Sequence, residues 1–166
     1  MTEESVIELQ FYNSESCLKI ELPFEQVIEM HKICKESNPN ETGGIIIGRY
    51  SDNGLIAYIS EITCAPEDSI KGKSSFHRGN KGLKKKLDAL WKQNYYYLGE
   101  WHYHPNHSPI PSKTDIDQMI SFSLNRNLKC PEPILIIAGG NISNLTLNVM
   151  VIANHKTISF EELEQT

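Results

Sequence analysis

Two histidines one residue apart, His102 and His104, followed by Asp115 with ten residues between, form the strongest chemical pattern in the chain. They stand in the run Gly99-Glu100-Trp101-His102-Tyr103-His104-Pro105, which leads through Pro109 and Pro111 to Ser112-Lys113-Thr114-Asp115. Two imidazoles and a carboxylate are the donor set of an open zinc site, with three protein ligands and a fourth position left for water. Such an ion keeps a net positive charge, so it can draw the pKa of bound water toward about 7 and polarise a carbonyl. Residues 95–103 are aromatic and extended in character, so alternation points side chains 102 and 104 to one face of a strand. Asp115 must return from the next element, across a loop that prolines stiffen. The pattern implies hydrolytic chemistry at zinc.

Each residue also has a plainer reading. A His-x-His pair alone suits an exposed strand. Ser112 and Asp115 suit the first turn of a helix, where such side chains satisfy free amides. The two roles are compatible, because a first-turn position would fix the carboxylate that points at the metal. Glu41 could be a surface acid, but Thr42-Gly43-Gly44 follow it, and missing side chains let another backbone or a substrate approach closely.

Taken in order, Glu41, His102, His104, Pro105, Ser112 and Asp115 resemble the signature of the JAMM (also MPN+ or JAB) metallopeptidases. The stretches Glu41 to Gly48 and Gly99 to His102 are similar to those of bacterial JAB proteins. The resemblance implies an MPN fold, akin to the cytidine-deaminase-like fold, over residues 1–166 as a single domain. It implies one catalytic Zn2+ held by His102, His104 and Asp115, with Glu41 as general base and Ser112 stabilising the oxyanion. It also implies cleavage of a peptide or isopeptide bond after the C-terminal tail of a ubiquitin-like protein, or of a conjugated nucleotidyltransferase. The nearest likeness is to JAB peptidases found beside E1- and E2-like proteins, including those of CBASS antiphage defence. Alternatives are a JAB peptidase acting on a sulfur-carrier protein and a non-catalytic MPN scaffold, though scaffold modules typically lack the ligands present here. A deaminase-like hydrolase is weakened by the absence of a paired-cysteine signature.

Other titratable residues compete for roles. Glu100 lies two residues before His102 and could orient an imidazole or serve as the base. The resemblance favours Glu41, so replacing Glu100 is expected to leave substantial rate. His107 is expected at the rim, His31 as a packed core histidine on a helix, and His155 outside the site. His77-Arg78 could reach the site's mouth.

The elements that must position these groups follow from hydrophobic periodicity. Residues 5–11 and 17–22 read as strands joined by a turn at 13–16. Pro23 opens a helix with Phe24, Val27, Ile28, His31 and Cys34 at helical spacing. Residues 44–50 and 55–63 read as a hairpin around Asn53-Gly54. Residues 64–80, polar and rich in Gly, Ser and Lys, read as a long loop and a candidate clamp over a substrate tail. Leu83, Leu87, Leu90 and Trp91 define a second helix and Ser112 starts a third. Strands follow at 134–138 and 145–153, and the tail from Glu161 reads as short helix or frayed. The pattern is α/β, a mixed, mostly antiparallel sheet flanked by helices.

The 166 residues suit one core. A net charge of -5 argues against a general nucleic-acid partner. No apolar run reaches membrane-spanning length, and the acidic start is unlike a signal peptide. The four cysteines are scattered without a CxxC pair, as reduced thiols are. Together these give a cytoplasmic expectation.

Overall fold

The computed structural model describes residues 8–164. The proposed strand residues 5–7 lie outside the described residues. Strands β1 (Glu8–Asn13) and β2 (Leu18–Pro23) form the first hairpin, followed by helix α1 (Phe24–Ser37). Strands β3 (Thr42–Tyr50) and β4 (Ile56–Ile62) form the second hairpin. A two-stranded ribbon, β5 (Ile70–Lys71) and β6 (Phe76–His77), comes next, then α2 (Leu83–Trp91). The long strand β7 (Tyr96–Pro105) leads to α3 (Lys113–Leu124). Strands β8 (Ile134–Gly140), β9 (Thr146–Ala153), β10 (Lys156–Ser159) and β11 (Glu161–Glu162) finish the chain.

Among the described residues, nine strands form one sheet in the order β10-β9-β8-β7-β3-β4-β2-β1-β11. Within these described strands, β2 with β4 and β7 with β8 run parallel and the other pairs are antiparallel. This matches the mixed, mostly antiparallel sheet expected from the pattern. Strand β7 lies between β3 and β8 and bonds to both, so its backbone is held along its length.

Both faces are covered. On one, α1 sets Met30 and Cys34 against Leu98, Trp101, Tyr103 and Ile136. On the other, α2 packs near Ile45, Ile47 and Tyr97, and α3 packs Met119 against Leu135, Ile137 and Met150. Each fully buried Ile or Leu in these layers stabilises by roughly 1.5–3 kcal/mol relative to exposure.

Three expectations change. The inner stripe of α1 keeps the expected Val27 and Cys34 but adds Met30, while Phe24 and Ile28 are exposed. His31 is exposed as well, its Nε2 lying 2.8 Å from the Ile142 carbonyl; it tethers the β8–β9 turn and is not a core residue. The tail from Glu161 pairs with β1 as strand β11, covering an otherwise open edge, with Phe160 buried beside it. Strand β10 went unpredicted because its turn, Asn154-His155, takes positive φ (49° and 62°) without the glycine that marks most such turns.

Candidate metal centre

Strand β7 reaches the site through a bulge. The β3–β7 register shifts between Ile46 and Ile47, so Gly99 pairs with Ile46 and Tyr97 with Ile47. Tyr97 then sits in the α2-side cluster, Leu98, Trp101 and Tyr103 in the α1-side cluster. A Cβ at Gly99 would stand 1.9 Å from the Ile134 carbonyl oxygen, so only glycine fits this step. Beyond it, plain alternation sends His102 and His104 to the face opposite Trp101 and Tyr103.

Asp115 is brought to them by the start of α3. Ser112 is the N-cap: its Oγ accepts the Asp115 N–H at 3.0 Å, and Asp115 Oδ2 accepts the Ser112 N–H at 2.9 Å, a reciprocal capping box. Asp115 Oδ1 lies 3.2 Å from His102 Nδ1, and Oδ2 lies 3.2 Å from His104 Nε2. All three residues are buried, and their donor atoms fall within 4.8 Å of one another. The group could therefore hold a metal ion.

The donor chemistry fits zinc. Burial alone would push the Asp115 carboxyl up, but hydrogen bonding with His102 and His104 and from the Ser112 amide outweighs it, holding the group well below the usual carboxylate range. The His104 imidazole is pushed up, chiefly by its hydrogen bond to Asp115. An ionised, buried carboxylate facing two imidazoles, with no Lys or Arg in ion-pair range among the described residues, is a cavity for a cation.

Glu41 lies in the connection from α1 to β3, half-buried. Burial pushes its carboxyl up, while His104, His102 and His107 pull it down and Asp115 raises it. Its field thus couples to the whole cluster, and its N–H donates to the Gly72 carbonyl at 2.8 Å. Gly43 follows on the same strand face. A Cβ there would stand 2.2 Å from the Trp101 carbonyl, 2.9 Å from the Phe76 ring and 3.0 Å from the His102 ring. Removing that side chain lets Phe76 pack edge-on against His102, with centroids 5.4 Å apart.

The remaining predicted groups divide. Ser112 is exposed, and among the described residues nothing accepts its O–H. His107, His77 and His155 are exposed and lie outside the donor cluster. Glu100 is fully buried and ion-paired with Arg78, and burial, against the pull of Arg78, pushes its carboxyl up to about 7. It faces Arg78 rather than orienting an imidazole by a hydrogen bond. Arg78 was expected near the site's mouth; its side chain instead turns inward to Glu100. Sequence reasoning does not reach Phe76 and Gly72, because the polar 64–80 stretch reads as a loop. Its lone aromatic, Phe76, amid polar residues was the one available signal.

Comparison with known proteins agrees with this geometry. Residues 25–155 match the family model described as prokaryotic homologs of the JAB domain. The chain is 40% identical over 137 residues to a protein of Enterobacter hormaechei subsp. hoffmannii named "CD-NTase/cGAS isopeptidase", covering 82% of this chain and 76% of that one. An Escherichia coli protein of the same name is 30% identical over 104 residues, covering 60% and 62%. A solution structure of a Desulfitobacterium hafniense protein shares the fold, with TM-score 0.60 at 18% identity, covering 84% and 86%. With the matched family model spanning most of its length, the chain belongs to the prokaryotic JAB-domain family.

Proposed function

We propose that this chain is a zinc-dependent isopeptidase that releases a CD-NTase, or a ubiquitin-like protein, from its conjugates in a CBASS-type antiphage system. The observation that carries the reading is the convergence of His102, His104 and Asp115 beside a half-buried Glu41. The resemblance to relatives named CD-NTase/cGAS isopeptidase supplies the substrate class. Nothing favours a scaffold role, since the donor set is complete, and no observation points to a sulfur carrier.

His102, His104 and Asp115 would hold the ion, which when bound supplies Lewis acidity toward water and toward the scissile carbonyl oxygen. The protein supplies the rest. The Glu41 carboxylate accepts a proton from the attacking water and returns it to the departing amine nitrogen. Burial raises its pKa above the ordinary carboxylate value, the direction that strengthens it as a base. The Ser112 O–H donates to the carbonyl oxygen as negative charge builds there. Asp115 fixes both imidazoles, and Phe76 closes one side of the His102 ring against water. The two segments bordering the site each expose an isoleucine, Ile70 and Ile110, suited to grip an extended tail.

The test is a CD-NTase whose C-terminal tail is joined to a reporter protein. Zinc-loaded wild type should cleave the junction, and exhaustive chelation should stop it. Glu41→Gln should lose roughly 10³-fold in kcat while still binding one equivalent of zinc. Full activity of the chelated protein, or of Glu41→Gln, would remove the reading.

A further inference from the structure

The segment 68–81 is tied together by its own hydrogen bonds. Asp68 carboxylate oxygens accept the amides of Asn80 and Lys81 at 3.0 and 2.9 Å, and Ser69 Oγ accepts the Gly79 amide at 2.9 Å, so its two ends are stapled together. Between them β5 and β6 pair, and the Gly72 N–H bonds the Ser75 carbonyl at 2.8 Å. This unit touches the site at two points already described: the Gly72 carbonyl on the Glu41 amide, and the Phe76 ring on His102. A third contact anchors it. Arg78 enters the protein to pair with Glu100, its Nη1 also donates to the Gly79 carbonyl at 2.8 Å and to Asn80 Oδ1 at 3.0 Å, and its guanidinium lies 4.7 Å over the Phe122 ring of α3.

We propose that the Arg78–Glu100 pair is a latch that holds this hairpin on the metal-bearing face, so that Arg78 and Glu100 are positioning residues for Glu41 and His102. This rests on the peptidase reading for its kinetic consequence, but not for its structural one. The pair's side chains are only 5% and 1% exposed, and a buried ion pair is a poor source of net stability because desolvation offsets the attraction. What such a pair supplies is a single allowed geometry. Glu100 stands on β7 two residues before His102, so the strand that carries the ligands also carries the latch. Phe122 stands on α3, the helix that carries Asp115, so one guanidinium ties the hairpin to both ligand-bearing elements.

The latch separates from ordinary structural support by its readouts. In the double variant R78M/E100M both charges leave together, so no buried ion is stranded. Amide hydrogen exchange on the full chain should show the Glu41 N–H exchanging at least about tenfold faster, while amides of β7 and β8 keep their protection. With zinc bound, kcat on the CD-NTase–reporter fusion should fall by about 10- to 100-fold, the size of loss seen when support around metal ligands is removed. That is a larger loss than the sequence alone leads one to expect for Glu100. Unchanged Glu41 protection in the folded double variant overturns the latch, as does faster exchange with unchanged kcat. Should that variant fail to fold, replacing residues 70–74 with a Gly-Ser linker removes the Gly72 carbonyl and leaves Arg78 with Glu100. The latch requires kcat to fall there too, and an unchanged kcat overturns it. If wild type proves unable to cleave the fusion, the peptidase reading fails, while the exchange measurement still decides the latch.

Discussion

Ser112 and Asp115 hold each other by two hydrogen bonds, Asp115 N–H to Ser112 Oγ at 3.0 Å and Ser112 N–H to Asp115 Oδ2 at 2.9 Å. The same carboxylate meets both imidazoles at 3.2 Å. One side chain thus closes a helix N-terminus and completes a metal-binding group. The backbone that starts α3 is therefore also the backbone that sets the metal geometry.

That shared duty gives Ser112→Ala two separable effects. Loss of the cap should lower stability by about 1 kcal/mol, read as a drop in Tm. Loss of the O–H toward the reacting carbonyl should lower kcat by about 10²-fold or more with zinc saturating. Ser112→Asp keeps a capping oxygen without a donor proton. It should recover the Tm and leave kcat low, and recovery of both would show that the hydroxyl acts only as a cap.

Gly43→Ala tests how tightly the site is packed. The added methyl would meet backbone, the Trp101 carbonyl at 2.2 Å, as well as the rings of Phe76 and His102. Overpacking of this kind costs about 1–3 kcal/mol, and here β3 or β7 must shift because a carbonyl cannot rotate away. Zinc affinity should fall together with Tm. Gly54→Ala, with open space around it and φ +74°, should cost about 1 kcal/mol and leave zinc affinity untouched.

The four thiols should divide evenly. Cys34 and Cys130 are buried, and burial pushes both thiols up to about 12, whereas Cys17 and Cys64 are exposed. The thiolate is the reactive species. A chromogenic disulfide reagent at pH 8 should therefore titrate two cysteines in the native chain and four in denaturant. A native count of three or four would mean that the α1 core or the Cys130 cluster opens readily.

The site was more legible in the sequence than the parts that surround it. His102, His104, Ser112 and Asp115 could be placed because a strand period of two and a helix-start spacing of three are local rules. The Gly99 bulge was not readable, since it depends on the Ile134 carbonyl arriving from another strand. Nor was the Arg78–Glu100 pair, which joins residues 22 apart. The hairpin at 70–77 carries one buried apolar residue, Phe76, too little to register as alternation. On α1 the periodicity holds and the buried face is only partly the expected one: Val27 and Cys34 pack on the core as the stripe requires. Phe24, Ile28 and His31 of that stripe are exposed instead, and Met30 takes the inner place beside Cys34.

The charge balance at His104 and Asp115 sets a pH window for the metal-free chain. Asp115 has a folded pKa held below its unfolded value, so its contribution is present above about pH 3.9 and fades as pH falls toward the folded value. His104 has a folded pKa raised above its unfolded value, so its contribution is complete below about pH 6.5 and is lost as pH rises through the folded value. The two overlap between roughly pH 4 and 6.5, where the metal-free Tm should gain most from this pair. Zinc needs neutral imidazoles, so the rise in Tm on adding zinc should grow between pH 6 and pH 8 as the metal-free gain declines. Thermal melts across that range, with and without zinc, measure both trends. Asp115→Asn should flatten the metal-free profile and abolish the zinc-induced rise; a zinc-induced rise preserved in that variant would place the ion elsewhere.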